Sequence, residues 1–158
     1  MVSEWSFVSA SPEETEAFGR RLGALLTAGD VVALDGELGA GKTTLVRGLA
    51  QGLDVPEQAT SPSFVLMQEY RGRVPLYHFD AWMTGREALF LQDGGAEYLG
   101  GDGVAVVEWA ERVRNYLPTP FVQVSLSHRS PEERGIRVTV EGDEGELSRR
   151  VAGLFEKN

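Results

Sequence analysis

The sequence predicts an α/β fold: a mixed β-sheet flanked by helices, with antiparallel hairpins, in one domain over residues 1–158. Three observations predict it. The apolar run Val31-Val32-Ala33-Leu34 leads into a glycine-rich loop, and Leu45, Val46, Leu49, Ala50 and Leu53 then recur at helical spacing. Val104-Ala105-Val106-Val107 is a second apolar run, of the kind a buried strand needs. Phe64 to Tyr70 with Val74 to Asp80, joined by Arg71-Gly72-Arg73, and Phe121 to Ser127 with Gly135 to Glu141, joined by a polar turn, read as hairpins. A chain of 158 residues buries roughly 68–70% of its unfolded surface, enough for one sizeable core.

Taken in order, Trp5-Ser6-Phe7-Val8 is a short strand. Ser11-Pro12-Glu13-Glu14 starts a helix: Ser11 can cap, Pro12 suits the first helical position, and Glu14 completes a capping box. Phe18, Leu22, Leu25 and Leu26 form its apolar stripe, and Gly29-Asp30 ends it.

The loop after the next strand, Gly36-Glu37-Leu38-Gly39-Ala40-Gly41-Lys42-Thr43, fits G-x-x-x-x-G-K-[ST], the phosphate-binding loop of nucleoside triphosphate enzymes. The fold expected is therefore P-loop NTPase-like. Gly36, Gly39 and Gly41 let the backbone take positive φ and approach a ligand. The N–H groups from Glu37 to Thr43 can then converge on a phosphate, at the positive end of the helix that follows. Lys42 adds a mobile cation near the outer phosphates, and the hydroxyl of Thr43 suits Mg²⁺. Thr44 is a weaker phosphate candidate, and Arg47 reads as a solvated helix residue.

Downstream, Thr60, Ser61 and Ser63 either satisfy a turn around Pro62 or face a nucleotide. Arg86 to Gln92 is a short helix, and paired glycines at 94–95 and 100–101 flank Ala96 to Leu99. Glu108 closes its apolar run. It is either a helix-starting acid or the carboxylate that helps hold Mg²⁺ at a strand end, and the presence of Lys42 favours the metal. Leu147, Val151, Leu154 and Phe155 give a closing amphipathic helix.

Composition excludes several classes. There is no cysteine, so disulfides and thiolate metal sites are ruled out, and two histidines argue against a transition-metal site. The net charge of −9 argues against a direct DNA- or RNA-binding surface. No apolar run is long enough for a membrane span and no signal peptide is evident, so a cytoplasmic location is expected. The guanine-reading Asn-Lys-x-Asp is missing, since neither Asn115 nor Asn158 starts it; ATP is therefore expected rather than GTP.

With the loop, the segments Ser61-Pro62-Ser63-Phe64, Tyr77-His78-Phe79-Asp80 and Glu108-Trp109 resemble, in that order and at those separations, the TsaE (YjeE) family. These are small bacterial P-loop ATPases needed to make threonylcarbamoyladenosine beside the tRNA anticodon. The resemblance covers nearly the whole chain. It implies ATP/ADP and Mg²⁺ as cofactors, with Thr43 and Glu108 as metal ligands and Asp80 and Trp109 as functional positions beside Lys42. It further implies a switch-like segment at 60–63 and an adenine side near Ser11 and Arg134. The implied partners are TsaB and TsaD, so tRNA is met only through that complex, while a separate enzyme makes threonylcarbamoyl-adenylate. Three departures stand out: Ser63 replaces a usual Thr, Asp80-Ala81-Trp82-Met83-Thr84 lacks a usual arginine, and Ala110 replaces a common proline.

Several roles stay open at this level. Asp80 orients a water, accepts its proton or holds a metal-bound water, unless it is a strand-end turn acid. Trp109 covers the site or meets a partner, unless it is buried beside the sheet. His78 shares a strand face with Asp80 and reads as packed or solvent-facing. Three function classes follow: an ATPase serving a tRNA-modifying assembly, a P-loop small-molecule kinase, and a nucleotide-locked binding module. No arginine finger is assignable from spacing, so slow hydrolysis alone and stimulation by partners are expected.

Overall fold

In a computed structural model, residues 3–37, 39–56, 67–80, 94–142 and 145–156 are described. Leu38, the Thr60–Ser63 segment, the start of the first hairpin at 64–66 and the expected 86–92 helix lie outside them.

Among the described residues, seven strands form one sheet in the order β1-β7-β6-β2-β5-β4-β3. They are β1 (Ser3–Ser9), β2 (Val31–Gly36), β3 (Met67–Arg71), β4 (Pro75–Asp80), β5 (Val104–Glu108), β6 (Phe121–His128) and β7 (Arg134–Glu141). The middle four, β6, β2, β5 and β4, are mutually parallel. On the flanks β3 pairs antiparallel with β4, and β7 with both β6 and β1. Both expected hairpins are therefore present, with Arg71 inside the first strand rather than in the turn.

Period-2 alternation splits the core between the two sheet faces. Val32, Leu34, Val104, Val106, Val122 and Val124 pack with the helices α1 (Pro12–Leu25), α2 (Lys42–Gly52) and α3 (Glu146–Ala152). Val31, Ala33, Ala105 and Val107 pack on the other face with Val113 and Leu117, from and just after the 3₁₀ segment Ala110–Tyr116. That is why β2 and β5 read as unbroken apolar runs: both their faces are covered.

Helix α1 starts as its sequence dictates. The Ser11 Oγ accepts from the Glu14 N–H at 3.2 Å, while Glu14 Oε2 accepts from the Ala10 N–H at 2.7 Å. It ends at Leu25, earlier than Gly29-Asp30 suggested. The Asp30 carboxylate takes the Thr27 N–H and the Arg150 guanidinium, while Arg150 also donates to Leu25 O, so this corner is held by ions rather than by more helix. That pairing with Asp30 raises the Arg150 pKa further.

Helices α1 and α2 touch through glycines. A Cβ at Gly19 or Gly23 would lie 2.4 or 2.2 Å from the carbonyl oxygens of Leu45 or Leu49, and one at Gly48 or Gly52 would lie 2.0 or 2.2 Å from those of Glu16 or Arg20. The backbones meet because no side chain stands between them. Phe7 and Phe18 pack at 4.8 Å, and Trp5 stacks on Phe155 at 5.3 Å, closing the outer end of this layer.

Candidate functional site

The carboxyl ends of the parallel strands open on one edge of the sheet, where ligand crevices of α/β folds form. The loop from β2 to α2 crosses that edge. Leu34 and Asp80 are both register partners of Glu108. Glu108 therefore stands between the strand entering the loop and the end of β4.

Gly39 (φ 79°) and Gly41 (φ 103°) take the left-handed turns. Ala40 N–H closes a turn onto Glu37 O at 3.0 Å. Gly41 is the N-cap of α2 and supplies no side-chain bond, so the helix opens onto the loop without a side-chain cap. A Cβ at Gly39 would meet nothing within 4 Å, which leaves room beside the backbone.

Lys42 is only 6% exposed. Its Nζ donates to Gly36 O at 2.8 Å and sits 3.6 Å from the centroid of the Trp109 ring. The ammonium is thus folded back under the loop onto a carbonyl and an aromatic face. Trp109 reaches it from a left-handed conformation (φ 58°) just past β5, with its N–H bonded to Leu34 O at 3.1 Å. Of the two fates open for Trp109, the structure places it half-buried and on the lysine.

Thr43 and Thr44 are half-buried in the first turn of α2. Glu108 is 3% exposed, and its Oε2 accepts from His78 Nε2 at 2.5 Å. A carboxylate only accepts, so Nε2 carries the hydrogen. His78 is 0% exposed, and its buried Nδ1 has no hydrogen-bond partner among the described residues. Packing is the fate His78 takes, but its carboxylate partner is a contact that spacing did not reveal. The signal was the shared face of positions 78 and 80 on β4. Asp80 ends β4 opposite Glu108 in register.

Two residues implied for the adenine side serve the scaffold here. The Ser11 hydroxyl caps α1. The Arg134 guanidinium donates to Ala40 O (3.2 Å) and Gly39 O (3.4 Å) in the loop. It also donates to Ser130 O, Pro131 O and Glu133 O in the β6–β7 turn. Arg47 is corrected as well. Rather than solvated, it is half-buried, and its Nε is shielded with no hydrogen-bond partner among the described residues.

No group of three or more His, Cys, Asp and Glu side chains able to hold a metal occurs among the described residues. Thr43 and Glu108 offer oxygen atoms, which suit a hard cation that keeps water and ligand phosphate as its other partners. No described helix is long and apolar enough to cross a membrane.

Comparison with known proteins agrees with this architecture. The family model of TsaE, threonylcarbamoyl adenosine biosynthesis protein TsaE, matches residues 9–136. A Treponema pallidum protein named tRNA threonylcarbamoyladenosine biosynthesis protein TsaE is 44% identical over 131 residues, covering 83% of this chain and 97% of that protein. Its namesake from Bacillus subtilis is 39% identical over 140 residues, covering 88% and 87%. The crystal structure of Bacillus subtilis YdiB superposes with a TM-score of 0.79 at 35% identity, over 98% of this chain and 96% of that one. The loop, the strand-end carboxylate and the matches along nearly the full sheet lead to one conclusion: the chain belongs to the TsaE family.

Proposed function

We propose that this chain is a Mg²⁺-dependent ATPase that serves threonylcarbamoyladenosine modification of tRNA next to the anticodon, acting in the cytoplasm on a complex of TsaB and TsaD. The observation that carries the reading is the loop itself. An uncapped helix start, two glycines at positive φ and a buried lysine meet at the carboxyl end of β2, with Glu108 on the neighbouring parallel strand. The family's role in tRNA threonylcarbamoyladenosine biosynthesis supplies the pathway. The net charge of −9 supports contact with RNA through partners rather than directly.

These residues fit a triphosphate with its cation. Mg²⁺, when bound, would neutralise phosphate charge. The loop amides and the α2 terminus bind the phosphates, and Thr43 and Glu108 hold the cation side. Lys42 leaves Gly36 O and the Trp109 face to neutralise the outer phosphate. Asp80 orients the attacking water and takes its proton. With no arginine finger in evidence from spacing, turnover is slow in the isolated protein and rises with TsaB and TsaD.

Depleting the protein and measuring tRNA nucleosides by mass spectrometry tests the role: threonylcarbamoyladenosine should fall, and an unchanged level refutes it. ADP release with no added acceptor separates this ATPase from a kinase, which would need a second substrate.

A further inference from the structure

Glu108 is buried, and its known neighbour on the adjoining strand is an equally buried histidine. The register explains how they meet. His78 pairs with Val106 across the parallel β4–β5 ladder, so its side chain leaves the same sheet face two residues behind Glu108. Solvent cannot substitute for it, because His78 is 0% exposed and Glu108 3%. Among the described residues the imidazole has no second commitment, since its Nδ1 finds no hydrogen-bond partner there. A fully buried histidine whose one polar contact among the described residues is a functional acid is a costly thing to keep for packing alone. Leucine would fill the volume without an orphaned nitrogen.

We propose that His78 is a positioning residue: its Nε2–H holds the Glu108 carboxylate in the orientation that receives the nucleotide-bound divalent cation. This rests on the reading of Glu108 as the acid on the metal side. Hydrogen-bonded partners behind metal-ligating groups fix the orientation of the donor atom, and losing one typically weakens metal binding by about 10–100-fold. His78 acts through Glu108 and touches neither nucleotide nor cation itself.

The test separates cation binding from nucleotide binding and from folding. Mn²⁺ is titrated into the protein–ATP mixture and followed by electron paramagnetic resonance. ATP affinity in EDTA and the thermal midpoint are measured beside it. His78→Leu removes the donor and should raise the half-saturating Mn²⁺ concentration by about 10–100-fold, while ATP affinity in EDTA is kept. His78→Gln places an amide nitrogen where Nε2 stood and should restore the wild-type value. His78→Asn ends one atom short and should not. If His78→Leu fails to fold, the Gln and Asn pair decides the matter.

Glu108→Gln is the reference. If it leaves Mn²⁺ binding unchanged, the metal-side reading of Glu108 falls and the role of His78 falls with it. If it weakens Mn²⁺ while His78→Leu and His78→Asn bind as wild type, only the role of His78 is overturned. It is equally overturned if those variants lose metal-free ATP binding by the same factor as Mn²⁺, or if Gln behaves like Asn.

Discussion

Placing a methyl group on Gly48 sets two effects against each other. Alanine is the better helix former, worth about 1 kcal/mol over glycine inside a helix. Against that, the new Cβ would lie 2.0 Å from Glu16 O, 2.8 Å from Glu16 C and 3.0 Å from Arg20 N. All three are backbone atoms of α1, so no rotamer change relieves them. Ordinary contact begins at 3.4 Å, so the two helices must part by about 1.4 Å. Overpacking of this kind costs about 1–3 kcal/mol, and a clash with main chain belongs at the upper end. The net expectation for Gly48→Ala is a loss of about 2 kcal/mol, or about 4–8 °C in thermal midpoint for a domain of this size. Gly153 is the control. A Cβ there meets nothing within 4 Å, its φ is −60°, and Gly153→Ala should stabilise by about 0.4–1 kcal/mol. Urea unfolding of both variants reads the result. A Gly48→Ala protein as stable as wild type would refute the claim that backbone contact between α1 and α2 requires glycine.

Three further outcomes follow from the site and its surroundings. Arg134→Ala should weaken ATP and inorganic triphosphate by the same factor, about tenfold, because the guanidinium holds loop carbonyls. Calorimetry in which only ATP loses affinity would instead make the adenine contact its main role. Lys42→Met should abolish measurable ATP binding and alter the fluorescence of Trp109, on which the ammonium rests; unchanged ATP binding would remove the loop from the mechanism. Tyr77 donates to Asp102 at 2.7 Å, and burial first, then this bond, pushes its hydroxyl up to about 12. Its contribution to stability is therefore full below pH 10 and is lost as pH rises through about 12. Tyr77→Phe should be less stable than wild type at pH 7, and the gap should close across that window in urea melts.

What the residues disclosed in advance was whatever depends on local pattern. Val31–Leu34 and Val104–Val107 are apolar throughout because both faces of β2 and β5 are covered, and Ser11 to Glu14 carry the cap that starts α1. Of the three loop glycines expected at positive φ, Gly39 and Gly41 take it, whereas Gly36 ends β2 in ordinary backbone and is small because a Cβ there would lie 3.0 Å from Leu126 O. What escaped were contacts between strands and between distant segments. His78 and Glu108 are 30 residues apart in sequence, and only the β4–β5 register brings them together. Arg134 and Ala40 are 94 apart and join because β7 lies across β6 from the loop. Arg47 looked solvated on helical spacing alone; its burial depends on packing that no periodicity records. The segments at 60–63 and 86–92 lie outside the described residues.

The folded-back lysine has a consequence for which anions the protein favours. Any incoming ligand must replace a carbonyl bond and an indole face before it wins the ammonium. A lone orthophosphate has little else to offer in exchange, whereas a polyphosphate chain engages several amides at once. If the loop binds phosphate as proposed, the pose of this one side chain would work against small ions and in favour of the longer molecule.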